Sequence, residues 1–279
     1  MKALVLARGK GTRMQRADQA AIVDVAQSRV ADSGFKAMIP FRRPFLDYIL
    51  SSLADAGCMD ICLVIGPEHD TVREYYERTS PPQRVRVAFA IQPQARGTAD
   101  AVLSAESFTQ EAPFLVLNAD NYYPVDVLRA LVALDGPGLP AFRRSTLIEQ
   151  SNIDAERIRS FALLTVDETG TLVDILEKPD PATFARYFGD DAIDGRHGIH
   201  EVRVSMNCWR FGPSIFSACR SIELSPRGEL ELPNAVRYAV RVMGERFRAI
   251  PVDAGVLDLS RREDIAEVER RLSAFEPRP

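Results

Sequence analysis

Directly behind a short apolar run, the stretch Leu6-Ala-Arg-Gly-Lys-Gly-Thr-Arg-Met14 gathers glycines, a threonine and basic side chains. Gly9 and Gly11 let the backbone turn tightly and present N–H groups to an anion, while Arg13 adds a charged fork. That chemistry is phosphate binding. Two familiar phosphate loops are excluded: a dinucleotide fingerprint needs a third glycine where Met14 stands, and the Walker pattern GxxxxGK[ST] is absent. Taken alone, the loop could also be a glycine turn with surface charges. Asp120 is a second candidate, because it follows an apolar run and open α/β sheets bind ligands beyond their strand ends. It could instead cap the helix that Pro124 opens. Cys58, Cys62, Cys208 and Cys219 have no metal-ligand spacing and read as buried free thiols. His69, His197 and His200 have no evident partner and read as surface residues.

A phosphate loop needs a rigid support. Apolar runs at residues 3–7, 61–65, 85–91 and 114–118 predict strands. Helical patterns lie between them. Phe45, Tyr48, Ile49 and Leu53 share one face behind Pro44, and Val72, Tyr75 and Tyr76 mark a second helix. Residues 98–108 carry Val102, Ala105 and Phe108 inward, and Pro124 opens a helix through Leu128, Leu131 and Val132. The alternation predicts an α/β fold of Rossmann-like, three-layer αβα type with a mixed, mainly parallel sheet. In the second half, residues 160–166 and 172–176 predict a hairpin, residues 202–211 a single strand, and a helix runs from Leu232. Ser260-Arg-Arg-Glu263 predicts a capping box before a helix with Ile265, Val268 and Leu272 inward. Residues 180–200 read as a polar loop. No linker divides the chain, so a single domain over residues 1–279 is expected, its C-terminal part extending the same sheet.

The chain has 279 residues, of which 46% are hydrophobic and 27% charged, as in ordinary globular proteins. A net charge of −4 and a pI near 5.6 argue against a nucleic-acid binder that neutralises phosphates along a duplex. No apolar stretch approaches a membrane span, and the first seven residues are too few for a signal sequence. The expected address is the cytoplasm, with no membrane and no nucleic acid among the partners.

Six blocks in order then resemble the sugar-nucleotide pyrophosphorylases, the nucleotidylyltransferases that make NDP-sugars. The loop over residues 6–14 is similar to the family's LxxGxGTR opening. Phe35-Lys36-Ala-Met-Ile-Pro40 followed by Arg43-Pro-Phe-Leu-Asp-Tyr-Ile-Leu50 resembles its Pro-Lys block, with Lys36 at the lysine. Gln92-Pro-Gln-Ala-Arg-Gly-Thr-Ala-Asp-Ala101 looks like the base-reading segment. Phe114-Leu-Val-Leu-Asn-Ala-Asp120 matches a strand ending in a metal aspartate, Leu176-Glu-Lys-Pro179 the sugar motif, and Val256-Leu-Asp258 the second metal aspartate.

The resemblance implies transfer of a nucleoside monophosphate from a triphosphate to a sugar 1-phosphate, with pyrophosphate released. It points most closely to dTTP or UTP with glucose 1-phosphate. Such transfers need alignment and charge neutralisation more than acid–base work. Two carboxylates with waters and phosphate oxygens suit Mg²⁺, here Asp120 and Asp258. Arg13 and Lys36 would act on the phosphates. Leu6, Ala7, Arg8, Gly9, Gly11, Thr12, Gln92, Gly97 and Thr98 would meet the nucleotide. Asn118, Glu177, Lys178 and Asn207 would meet the sugar phosphate. The partners are a nucleoside triphosphate and a sugar 1-phosphate, with homo-oligomer formation left open. Asp258 could alternatively serve a turn, and Glu177-Lys178 could be a solvated pair. Tyr122-Tyr123 is either sheet-edge packing or a wall of the sugar site.

Three departures mark the chain. Arg8 stands where the family has a small residue, so it must either turn away to a partner or join in binding; participation is the expected outcome, with Asp18 or Asp24 as carboxylates within reach. A segment at about residues 17–34 is extra, with Ile22, Val25, Ala26 and Val30 on one helical face and Gly34 at its end. It reads as a lid or an interface element. Ser205-Met-Asn207 and Ser260-Arg261 also differ from the family pattern. Two other classes compete: a non-catalytic paralogue that binds sugar nucleotides, kept open by Arg8, and a glycosyltransferase with a related sheet, disfavoured because Asp120-Asn-Tyr replaces Asp-x-Asp.

Overall fold

The computed structural model describes residues 1–16, 23–188 and 201–279. Its strands in chain order are β1 Lys2–Leu6, β2 Asp60–Ile65, β3 Arg86–Ile91, β4 Phe114–Asn118, β5 Asn121–Tyr122, β6 Gly138–Phe142, β7 Leu163–Val166, β8 Leu172–Leu176, β9 Glu201–Val204, β10 Cys208–Phe211, β11 Arg248–Val252 and β12 Leu257–Asp258. The main sheet runs β3-β2-β1-β4-β10-β6-β9-β7-β8, with β11 on the other edge of β6. β1 pairs in parallel with both β2 and β4, β2 with β3, and β6 with β11; β10, β9 and β8 run against the others. The sheet is therefore mixed and mainly parallel, as expected.

Both faces of the central strands are covered, which is why they read as unbroken apolar runs. Ala3, Val5, Leu115 and Leu117 face one core with Phe45, Ile49, Leu128, Leu131 and Ile265. Leu4, Phe114 and Val116 face the other with Val102, Trp209, Phe216 and Val236. Helices Phe45–Asp55, Val125–Val132 and Asp264–Leu272 make the first layer; Thr98–Ser104, Ser214–Ser221 and Leu232–Arg241 make the second. Three layers result. The strands β1, β2 and β4 end side by side, so the segments after Leu6, Ile65 and Asn118 open on one edge.

Several local expectations are corrected. Residues 202–211 form two strands, because the chain turns at Ser205–Asn207, where Asn207 has φ +57°. β9 pairs with β7 and β6, whereas β10 pairs with β4 and β6. The helix expected over 98–108 breaks at Ala105 into Thr98–Ser104 and Glu106–Thr109. The capping box at Ser260–Glu263 does not form: the Asp264 carboxylate accepts from Ser260 N (2.9 Å) and Arg261 N (2.7 Å) instead. Within 180–200, Pro181–Phe188 is a helix started by Asp180, which accepts from Thr183 N at 2.9 Å. The remainder, with His197 and His200, lies outside the described residues.

In the extra segment, the helix is Val25–Ser33, with a capping box between Asp24 and Gln27 and Gly34 in the left-handed region. Its inner face differs from the expected one. Gln27 and Ala31 are buried and Val30 partly so, while Val25 is 80% exposed; Ile22 lies outside the described residues. The reason is ionic. Arg262 Nη2 reaches Asp32 at 2.5 Å and Nη1 reaches Ser28 Oγ at 3.1 Å, fixing the helix by its polar side.

Candidate active site

The segment after β1 is shaped by a close approach of two backbones. Gly11 has φ +60°, and a Cβ built there would lie 1.9 Å from Gly34 O; a Cβ on Gly34 would lie 2.6 Å from Lys10 O. Neither position accepts a side chain. Gly9, by contrast, faces nothing within 4 Å and borders open cleft. Gly34 then leads into a single 3₁₀ turn, Lys36–Met38, which aims Lys36 Nζ at Asp120 Oδ2, 2.5 Å away. The lysine and the strand-end carboxylate thus form an ion pair at the mouth of β4.

Gln92 leaves β3 with its backbone N donating to Ile65 O at 2.9 Å. Its side chain is fixed by two acceptors: Nε2 donates to Gly97 O (3.0 Å) and to Asp100 Oδ2 (2.8 Å). Gly97 has φ +115°, and a Cβ there would meet Leu230 O at 2.4 Å. Thr98 Oγ1 accepts from Leu232 N at 2.9 Å, so this residue also holds the start of the Leu232–Arg241 helix.

Asp258 arrives through the small antiparallel ribbon of β5 and β12, where it pairs with Asn121, and Leu259 N donates to Asp120 O at 2.8 Å. The two expected metal carboxylates are brought to one place. They differ in state. Asp120 carries Lys36, whereas Asp258 accepts from Arg157 Nη2 on Oδ1 and from Asn121 Nδ2 on Oδ2 at 3.1 Å. Burial, then the nearby Asp120 carboxylate, push the Asp258 carboxyl above its ordinary range, against the pull of Arg157. As a pair holding Mg²⁺ the two carboxylates fit poorly: each Asp258 oxygen already accepts from a donor of the chain, and one of those donors is the buried, charged guanidinium of Arg157, beside which a divalent cation would have to stand. Among the described residues no group of three or more His, Cys, Asp or Glu side chains could hold a metal. Asp120 alone, sharing a cation with substrate phosphates, is compatible with Mg²⁺.

Across the cleft, Lys178 has φ +44° and its Nζ stands 3.5 Å from Glu177 Oε1 and 3.9 Å from Glu231 Oε1. Glu177 is pushed above the usual glutamate range by burial, partly offset by Lys178. Arg227 pairs with Glu231 and lies 3.1 Å from Glu229. Arg8 turns toward the segment after β2: its Nη2 donates to Pro93 O at 3.2 Å and lies 3.3 Å from a Glu68 oxygen. Asp24 caps its own helix and Asp18 lies outside the described residues, so Glu68 is the carboxylate that meets Arg8. Arg8 thus has a carboxylate partner and still lines the cleft. Tyr123 is fully buried, its hydroxyl donating to Met206 O, and therefore packs; Tyr122 touches Phe275.

Every residue expected from the sequence lines a single cleft of about 780 Å³. It is lined by Leu6, Ala7 and the loop through Arg13, by Lys36, Asn118, Asp120 and Asp258, by Gln92, Gly97 and Thr98, and by Glu177, Lys178 and Asn207. Gly97 and Thr98 meet the segment around Leu230 and Leu232, and Lys178 meets Glu231 between them. Arg157, Asn121, Phe161, Arg227 and Glu231 also line it and were not anticipated. Arg157 carried no signal, since its acidic partners Asp258 and Asp264 are 101 and 107 residues away in sequence.

A family model described as nucleotidyl transferase matches residues 2–272. The chain belongs to the nucleotidyl transferase family. Among curated relatives of this family, a UTP–glucose-1-phosphate uridylyltransferase of Haloferax volcanii is 25% identical over 274 residues, covering 98% of this chain and 96% of its own. A glucose-1-phosphate thymidylyltransferase of Streptomyces griseus is 27% identical over 285 residues, covering 100% of this chain and 68% of its own. A solved UDP-glucose pyrophosphorylase in complex with UDP-glucose shares the fold, with a TM-score of 0.71 at 17% identity and 99% of each chain covered. No helix among the described residues is long and apolar enough to cross a membrane.

Proposed function

We propose that this family member transfers a nucleoside monophosphate from a nucleoside triphosphate, most closely dTTP or UTP, to a sugar 1-phosphate such as glucose 1-phosphate, and does so in the cytoplasm. A phosphate oxygen of the sugar 1-phosphate attacks the α-phosphorus. The bond from that phosphorus to the bridging oxygen breaks, and pyrophosphate leaves with the electron pair. The observation that carries this reading is that one cleft is lined together by the glycine loop after β1, the Lys36–Asp120 pair, the fixed Gln92 amide and the Glu177–Lys178 pair.

Arg13 and the loop amides hold the triphosphate tail. Lys36 is held by Asp120 and can turn to the phosphates as they arrive, so its charge is delivered where negative charge accumulates. Gln92 meets the base, and Glu177 accepts from sugar hydroxyls while Lys178 faces the sugar's phosphate. Mg²⁺ brought in on the triphosphate would neutralise its oxygens, with Asp120 as protein ligand.

Pyrophosphate release across a panel of triphosphates and sugar 1-phosphates tests the reading. Turnover with one triphosphate–sugar phosphate combination is expected. Tight binding of NDP-sugars with no release in any combination would make the chain a binder and refute the proposal.

A further inference from the structure

Arg157 stands on the short helix Ala155–Ile158, and its side chain is 7% exposed although it lines the cleft. It is clamped between two carboxylates. Nη2 donates to Asp258 Oδ1 and, at 3.2 Å, to Asp264 Oδ2; Nη1 donates to Asp264 Oδ1 at 2.5 Å and to Asn152 O at 3.5 Å. Asn152 supports the same knot from behind: its Oδ1 accepts from Asp258 N at 2.8 Å and its Nδ2 donates to Asp258 O at 2.7 Å. Asp264 is in turn held by the backbone N–H groups of Ser260 and Arg261. The guanidinium therefore has a planar fork of donors met by a matching, immobile set of acceptors.

Asp258 differs from Asp120 in two measurable ways. Its side chain is 6% exposed against 23% for Asp120, and its partner is a buried, fixed arginine in place of a lysine on a flexible stem. A divalent cation approaching Asp258 would either displace the guanidinium from Oδ1 or take the place of the Asn121 amide on Oδ2 and stand beside that guanidinium in a nearly dry knot. Displacement would also leave Arg157 with one carboxylate fewer in a place where an uncompensated charge is costly. At Asp120 a charged donor must also leave, but Lys36 sits on a flexible stem and can swing to another anion.

We propose that Arg157 is the resident cation of this wall of the cleft: it supplies the positive charge at Asp258, Asp258 and Asp264 position it, and divalent cations are held from Asp120 and not from Asp258. This deepens the reading of the cleft as a nucleotidyl-transfer site and rests on it for its significance. Metal binding can nevertheless be measured without turnover, so the two stand or fall separately.

The test is titration of the full chain with Mn²⁺, free ion being read by electron paramagnetic resonance. Arg157→Gln removes the competing charge and exposes a second carboxylate, and is expected to bind Mn²⁺ at least about tenfold more tightly than wild type. The gain should vanish in the double variant Arg157→Gln/Asp258→Asn. Asp258→Asn alone, which keeps the shape of the knot, should match wild type within about twofold. An unchanged affinity in Arg157→Gln, a gain that survives in the double variant, or a loss in Asp258→Asn would each overturn the proposal. Should Arg157→Gln fail to fold by circular dichroism, Asp258→Asn still decides: unchanged Mn²⁺ affinity sustains the assignment and tenfold weakening ends it.

Discussion

The fixed amide of Gln92 makes a specific demand on the nucleotide. Both acceptors that hold its nitrogen, Gly97 O and Asp100 Oδ2, are oxygens without a hydrogen to give, so the nitrogen must face them and Oε1 must face elsewhere. Gln92 is 3% exposed at the wall of the cleft and so has little room to turn. It can therefore offer the base an acceptor and not a donor. Bases with an N–H at the centre of their Watson–Crick edge, as in UTP, dTTP and GTP, should be preferred to those with a lone pair there, as in CTP and ATP. Asp100→Ala removes a hydrogen bond to a charged group, about 1.5–3 kcal/mol of the preference for this orientation. At about 1.4 kcal/mol per factor of ten, turning the amide over becomes about 10- to 150-fold easier. Gly97 O still resists the turned amide, so the lower figure is the better guide: the kcat/KM ratio of UTP to CTP should fall about tenfold. Asp100→Asn, whose Oδ1 can still accept, should keep the ratio near that of wild type. Pyrophosphate release measured with both triphosphates at fixed sugar phosphate supplies the ratios. An unchanged ratio in Asp100→Ala would refute the idea that the lock sets base preference.

Lys36→Ala is expected to lower kcat far more than it raises the triphosphate KM; a pure KM effect would reduce Lys36 to ground-state binding. Asp120→Asn should lower turnover about 100-fold or more while leaving the urea midpoint within error, as for loss of a charged group facing the reacting phosphates. Glu177 is useful to a sugar only when ionised, and burial raises its pKa, so the sugar phosphate KM should climb as pH falls while still above the ordinary glutamate range. Glu177→Gln should have a raised KM without that climb. In the first core, Tyr76 Oη donates to the buried Asp47 carboxylate at 2.8 Å, and Tyr76→Phe should cost about 1.5–3 kcal/mol by urea unfolding. A smaller loss would mean that Arg43 and Tyr75 satisfy Asp47 alone.

Much of the first half of the chain was legible because β1, β2, β3 and β4 are mostly apolar runs and several site residues stand at or just past their ends, as Asn118 does at the end of β4 and Asp120 two residues on. Two inner strands escaped for a shared reason. β6 and β11 carry Pro140 and Pro251, residues that argue against a central strand. Pro140 is tolerated because β10 meets β6 only at Gly138 and β9 only at Phe142, leaving no ladder partner on that edge between them. The strand over 202–211 was read as unbroken because the only sign of a left-handed turn in Ser-Met-Asn is Asn207, a residue that tolerates that region but does not require it. The site itself was legible as residue types but not as a charge balance. Arg8–Glu68, Lys36–Asp120 and Arg157–Asp258 each join segments far apart in sequence, so no local spacing could reveal that these three cations of the cleft are already paired.

The contact of Gly11 with Gly34 bears on how this chain can be altered. The Val25–Ser33 helix ends against the phosphate loop, and Arg262, four residues beyond Asp258, grips that helix at Asp32 and the loop's far end at Met14 O, 3.3 Å away. The three pieces form a brace in which no member is free to be redesigned alone. Removing the extra segment would take away the floor on which the loop rests and leave a buried guanidinium without its carboxylate. A shortened variant would thus need a new residue at position 262 and a new loop conformation together, and grafting this loop into a relative would need the helix to travel with it.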